Sequence, residues 1–239
     1  MAAMKAYIRK AMIFLTPSLA VFLGVMMISL CAVDALNTFS ATRMSGITVV
    51  IDAGHGGEDG GAVSRSGTIE STVNLQIASK LDNLMHLYGI QTSMLRSDDV
   101  SLHDSDAKTL REKKKSDLKN RVAQINQTAD GVLISIHQNI YPKSNFSGAQ
   151  VFYANRDNSF DWAVLTQEML RVTLDRKNGR KAARISDSIY LMKNVKRPAI
   201  LVECGFLSNP AEECLLQDDV YQMKISAALT AATIQYYGQ

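Results

Sequence analysis

Two histidines and two glutamates stand where apolar runs stop. His55 follows ITVVIDAG, His137 follows VLISI, Glu203 ends AILVE, and Glu70 opens a helical pattern just after a glycine loop. Singly, each has an ordinary reading. A histidine beside a strand is commonly satisfied by its neighbours, and Glu70 suits a first helical turn, where the helix dipole favours a carboxylate. Glu203 is more demanding, because an unpaired carboxylate is costly to bury and calls for a metal, a proton or a partner. Two imidazoles and one carboxylate suit a single zinc ion with its fourth position left for water. Zinc lowers the pKa of a bound water to about 7 and polarises a carbonyl oxygen. A second carboxylate, not itself a ligand, can take the water's proton and hand it to a departing amine. Four groups therefore suffice to hydrolyse an amide. Spacing alone does not decide which of Glu70 and Glu203 is the ligand and which the base.

The loop GHGGEDGG surrounds the first histidine with small residues. Gly54, Gly56 and Gly57 are expected to turn the backbone tightly and clear room for His55 to reach a metal. Phosphate binding is the competing use of such a loop. This one lacks the Gly-Lys-Ser/Thr ending of a P-loop, and Asp59 stands where a dinucleotide fingerprint needs its last glycine. Glu58 and Asp59 would also repel phosphate.

Around these residues, strand-like and helix-like segments alternate. Strands are expected at ITVVIDAG, IQTSMLR, GVLISIHQN, AQVFYAN and AILVECGF, the last opened by Pro198. Apolar residues at helical spacing (Val73, Ile77, Leu81, Leu84, Met85) predict a helix over 68–88, stopped by Gly89. Further helices are expected over 110–127, with Leu118, Val122 and Ile125 inward, over 159–177 and over 219–237. The alternation implies a single α/β domain with a twisted, mostly parallel sheet flanked by helices on both faces. In such sheets ligands bind at the carboxyl ends of the strands, which is where the four ionisable residues fall.

The chain has 239 residues and a net charge of only +3, which gives no case for nucleic acid. Residues 1–34 differ from the rest. Lys5, Arg9 and Lys10 precede an uncharged run, residues 11–33, long enough to cross a membrane as a helix. That run exceeds the ~7–15-residue core of a cleaved signal peptide, so an uncleaved anchor is favoured over cleavage near Val33–Ala35. The basic start keeps the N-terminus in the cytoplasm and exports the remainder of the chain. Residues 35–46 then form a linker, and 47–239 the catalytic domain. Cys31 comes after the bulky Leu30, which argues against lipidation; Cys204 and Cys214 read as small, partly buried thiols.

The motifs VVIDAGHGGEDGGAV, GTIEST, LISIHQN and PAILVECGFLSNPAE, in that order, resemble the zinc-dependent N-acetylmuramoyl-L-alanine amidases of bacterial cell walls. The resemblance runs from Thr48 to Tyr237. It implies that His55, Glu70 and His137 hold one Zn2+, that Glu203 is the general base, and that Asn139 is a polar rim residue able to contact substrate. Ala53, Ser71 and Cys204 depart from the family pattern without touching the four chemical positions; a thiol beside Glu203 raises a regulatory or ligand role. The single domain behind a hydrophobic segment, and the long basic stretch from Leu102 to Asn126, are similar to the CwlD-type branch that acts on spore cortex. That branch implies peptidoglycan as substrate, a muramic δ-lactam as later product, a peptidoglycan deacetylase as functional partner and an activating lipoprotein in some members. Arg111, Lys113, Lys114, Lys115, Lys119 and Arg121 form either a solvated helix face or a surface for glycan, lipid or partner. A stem-peptide carboxypeptidase or endopeptidase could use the same four groups. A non-catalytic zinc scaffold would have no need of Glu203.

Overall fold

The computed structural model describes residues 46–238; the expected N-terminal hydrophobic segment and most of the linker lie outside them. Six strands form one sheet: β1 (Thr48–Ala53), β2 (Gln91–Met94), β3 (Gly131–Asn139), β4 (Gln150–Tyr153), β5 (Ala183–Arg184) and β6 (Ala199–Phe206). Their order is β2-β1-β3-β6-β4-β5. β1 pairs in parallel with β2 and β3, β3 with β6, and β4 with β5, while β4 runs antiparallel to β6. The sheet is therefore mostly parallel, as the alternating pattern implied.

Among the described residues six helices cover it: α1 (Glu70–Leu87), α2 (Leu110–Gln127), α3 (Ser159–Leu174), α4 (Tyr190–Asn194), α5 (Pro210–Leu216) and α6 (Asp219–Tyr237). Local chemistry sets their ends. Thr109 and Glu112 form a reciprocal capping box at the start of α2. Asn209 caps α5 ahead of Pro210, and Asp218 caps α6. The third long helix stops at Leu174, three residues short of the expected end. The two-residue β5 and the short α4 and α5 carry too few residues to show a period and have no counterpart in the sequence reading.

Side chains alternate across a strand, so each strand feeds both faces. Val49, Ile51, Ile134, Ile136, Ile200 and Val202 pack with Ile77 and Leu81 of α1, Trp162 of α3 and Leu229 of α6. Val50, Leu133 and Leu201 pack on the other face with Ile125 of α2 and Leu191 of α4. Continuing that second series by twos gives Asp52, Ser135, His137 and Glu203. The face under α2 and α4 thus begins apolar and turns polar at the carboxyl ends of the strands.

Candidate metal centre

His137 and Glu203 are register partners on neighbouring parallel strands, so strand pairing alone sets them side by side. Glu203 sits within β6 rather than at its end, because the strand continues to Phe206. His55 lies just past β1 with φ 64°, a left-handed conformation rare for a residue with a side chain. Glu70 is the first residue of α1. Donor atoms of His55, Glu70 and His137 all fall within 4.8 Å of one another. His137 Nδ1 is 2.9 Å from Glu70 Oε1, and His55 Nε2 is 3.4 Å from Glu70 Oε2. Ligands about 2.0–2.1 Å from a tetrahedral ion lie about 3.3 Å apart, so these three donors fit one zinc.

Each donor is held by its surroundings. The Ala62 amide donates to Glu70 Oε2 at 2.8 Å, and the Gln138 amide to Oε1 at 3.1 Å. Asp59 Oδ2 lies 3.0 Å from His55 Nδ1, which leaves Nε2 to face the centre. Arg121 donates to the carbonyls of His55 (2.8 Å) and Ala53 (3.1 Å). Arg96 donates to those of Ala53 (2.9 Å) and Gly54 (3.2 Å). The strained turn at His55 is thus gripped by two buried guanidinium groups.

The glycines serve a different neighbour from the one expected. A Cβ on Gly54 would overlap the His137 ring, so Gly54 makes room for the second histidine. Gly61, at φ 72°, would bring a Cβ to 2.6 Å from Glu70 Oε2 and 2.7 Å from His55 Cδ2. It is the glycine that clears space beside the first. Gly56 and Gly57 instead admit close approach by the backbone of Val100 and Ser101.

Glu203 stands apart from the three donors. Its Oε2 is buried with no hydrogen-bond partner among the described residues. Burial pushes its carboxyl up to about 7; the Glu70 charge adds to this and the two imidazoles oppose it. Such a group is poised to take and give a proton near neutrality. Burial would lower the His55 imidazole, but Asp59 and Glu70 outweigh it and raise the ring to about 9. Burial likewise works against the Glu70 carboxylate, yet the facing imidazoles hold it far below the usual range. The three donors are compatible with a bound cation.

All four residues and Asn139 line one cleft of about 450 Å³, walled by Lys114 and Leu118 of α2 and by Ser188–Leu191. Three features escaped the sequence reading. Asp59, four residues after His55, counted there only as a charge against phosphate. Arg121 is not part of a basic face: it is 2% exposed and pairs with Asp52 (2.5 Å) and Asp117 (2.7 Å). Asp52, an acid inside an apolar strand, was the visible signal for it. Lys113 and Lys114 are likewise spent on Glu58 and Asp59. Cys204 points with Val202 into the opposite core, wholly buried, so it has no place at the metal; Cys214 is exposed and a free thiol.

A model of the N-acetylmuramoyl-L-alanine amidase family matches residues 49–235. The germination-specific N-acetylmuramoyl-L-alanine amidase of Bacillus subtilis is 37% identical over 195 residues, 81% of this chain and 81% of that protein. The amidase LytC of the same organism is 30% identical over 80% of this chain but only 36% of its own length. Among solved structures, the CwlD amidase from Clostridioides difficile, in complex with the GerS lipoprotein, superposes with a TM-score of 0.77 and 38% identity, covering 80% of this chain and 98% of that one. The chain belongs to the N-acetylmuramoyl-L-alanine amidase family of peptidoglycan hydrolases.

Proposed function

We propose that residues 47–239 are a catalytic domain that hydrolyses the amide between N-acetylmuramic acid and L-alanine, with one Zn2+ held by His55, Glu70 and His137 and with Glu203 as general base. The observation that carries this is the pairing of three mutually close donors with Glu203, whose buried Oε2 has no partner among the described residues. A Zn2+ held there would supply Lewis acidity toward a water and the scissile carbonyl. Glu203 accepts the water's proton as the water oxygen bonds to the carbonyl carbon, and delivers it to the alanine nitrogen as the C–N bond breaks. Asp59 keeps the His55 ring in one tautomer, and the Arg96–Arg121 grip fixes the turn that presents it. Asn139, on the rim, contacts the substrate.

The finer assignment rests on relatives. A germination-specific relative and a CwlD structural neighbour support action on spore cortex, upstream of a deacetylase that forms muramic δ-lactam. The neighbour's lipoprotein complex supports an activating lipoprotein for this chain too. Export is required by the substrate, with residues 1–34 as anchor or signal and 35–46 as linker. No helix among the described residues is long and apolar enough to cross a membrane.

The test is the full chain, loaded with zinc and incubated with purified cortex peptidoglycan, with products identified by mass spectrometry. Free peptides beginning with L-alanine beside intact glycan are expected. Cuts inside the stem peptide would replace the amidase with a peptidase. Zinc bound but no product, even with a lipoprotein partner added, would leave a scaffold.

A further inference from the structure

A second groove of about 350 Å³ adjoins the metal cleft, lined by Val63, Arg65, Ile140, Tyr141, Pro142 and Ser208. Ile140 lines both, and Ala62 and Val63 pass directly from one into the other. One wall continues the loop that positions Glu70; the other continues the strand that carries His137. The two halves of the metal centre therefore extend into the two walls of the groove.

Both walls are braced. In the 63–69 loop, Val63 bridges Ile69 and the Ser64 amide donates to Thr68 O at 2.9 Å. The hydroxyls of Ser64 (2.5 Å), Thr68 (2.6 Å) and Ser66 all converge on one oxygen of Glu213 in α5. Arg65 sits between two of those tethered serines. Opposite, the Tyr141 amide donates to Ser208 Oγ at 3.0 Å, and its ring packs edge-on against Phe146 with centroids 4.5 Å apart. Val63, Ile140 and Tyr141 nonetheless remain about half exposed, three large apolar side chains around one groove. Arg65 is exposed and makes no ion pair or hydrogen bond among the described residues.

Charge identifies the occupant. Of the cations lining the two grooves, Arg121 is buried against Asp52 and Asp117, and Lys114 is paired with Asp59 at 3.1 Å. Among the described residues of these walls, Arg65 is the cation left over. In the substrate, the N-acetylated sugars carry no charge once the lactyl carboxyl is locked in the amide. The carboxylates belong to the stem peptide, whose second residue is acidic. We propose that this groove is the stem-peptide subsite, with Arg65 binding a carboxylate beyond L-alanine and Val63, Ile140 and Tyr141 covering the peptide's apolar parts. This rests on the amidase function proposed above, and it assigns the glycan to the limb beside α2 and Ser188–Tyr190.

The probe is the free tripeptide L-Ala-γ-D-Glu-diaminopimelate, with a counterpart amidated at its carboxylates. Each is titrated calorimetrically into the zinc-loaded full chain as wild type, Arg65→Glu and Arg65→Lys. Because Arg65 is exposed, both variants are expected to melt like wild type. An exposed charge-assisted contact predicts that Arg65→Glu weakens tripeptide binding by about tenfold or more. Arg65→Lys should retain most of the affinity, and the amidated peptide should bind wild type as weakly as the tripeptide binds Arg65→Glu. Equal binding by wild type and Arg65→Glu, equal binding of the two peptides, or no binding to wild type would overturn the subsite. Arg65-dependent binding without hydrolysis of muramoyl peptide, even with a lipoprotein partner added, would uphold the subsite and defeat the amidase reading instead.

Discussion

At the residue, the four candidate groups stood out in the sequence because each is ionisable and stands where an apolar run stops. Their division of labour was not, since spacing says nothing of distance; it is the 2.9 Å and 3.4 Å contacts that group Glu70 with the histidines and leave Glu203 apart. Asp59 escaped notice because its use depends on a turn no periodicity reports. His55→Ala should lose zinc, measured as metal content after dialysis, because it removes one of the three proposed ligands. Asp59→Ala removes only the partner that orients the ring, and should weaken zinc affinity about 10–100-fold in a chelator competition. An unchanged affinity would mean that Asp59 serves Lys114 rather than His55.

At the element, the long strands and helices were legible from their apolar runs and periods. The antiparallel sense of β4 and the short β5, α4 and α5 were not, since pairing direction and two-to-seven-residue elements leave no pattern. Helix α2 shows how charge misleads. Its Arg121 reads as solvated, yet it ties α2 to the end of β1. Removing one partner of a buried ion pair typically costs about 3–5 kcal/mol, so Arg121→Met should lower stability by roughly that much in denaturant titrations. Asp52 adds a pH dependence. Burial alone would raise its carboxyl, but Arg121, Ser135 and His137 together hold it below the ordinary range. A depressed carboxylate adds stability that is present above the unfolded value of ~4 and is lost as pH falls through the folded one. Thermal melts of wild type and Asp52→Asn should therefore differ most near neutrality, and the gap should narrow as pH falls below ~4. A constant gap across that range would show that Asp52 acts through shape, not charge.

For the whole molecule, one sheet with two differently finished faces builds the entire centre within a single domain. The face under α1, α3 and α6 is apolar along the strands up to Ile136 and Cys204, with buried Gln138 hydrogen-bonded to Asn74 at its end, while the face under α2 and α4 turns ionisable where the strands end. Metal and fold are then linked. A ligand that binds only the folded chain stabilises it by about 2.7 kcal/mol at a hundredfold excess over its Kd. Zinc should accordingly raise the melting temperature, chelation should lower it again, and His55→Ala should respond to neither. The most direct test of the assigned chemistry compares release of L-alanine-led peptides from peptidoglycan by wild type and Glu203→Gln, with the zinc content of both measured in the same samples. One zinc per chain is expected in each, with a rate about a thousandfold lower in the variant. A variant that keeps wild-type rates, or that loses its zinc while Glu70→Gln retains it, would contradict the roles given to the two glutamates.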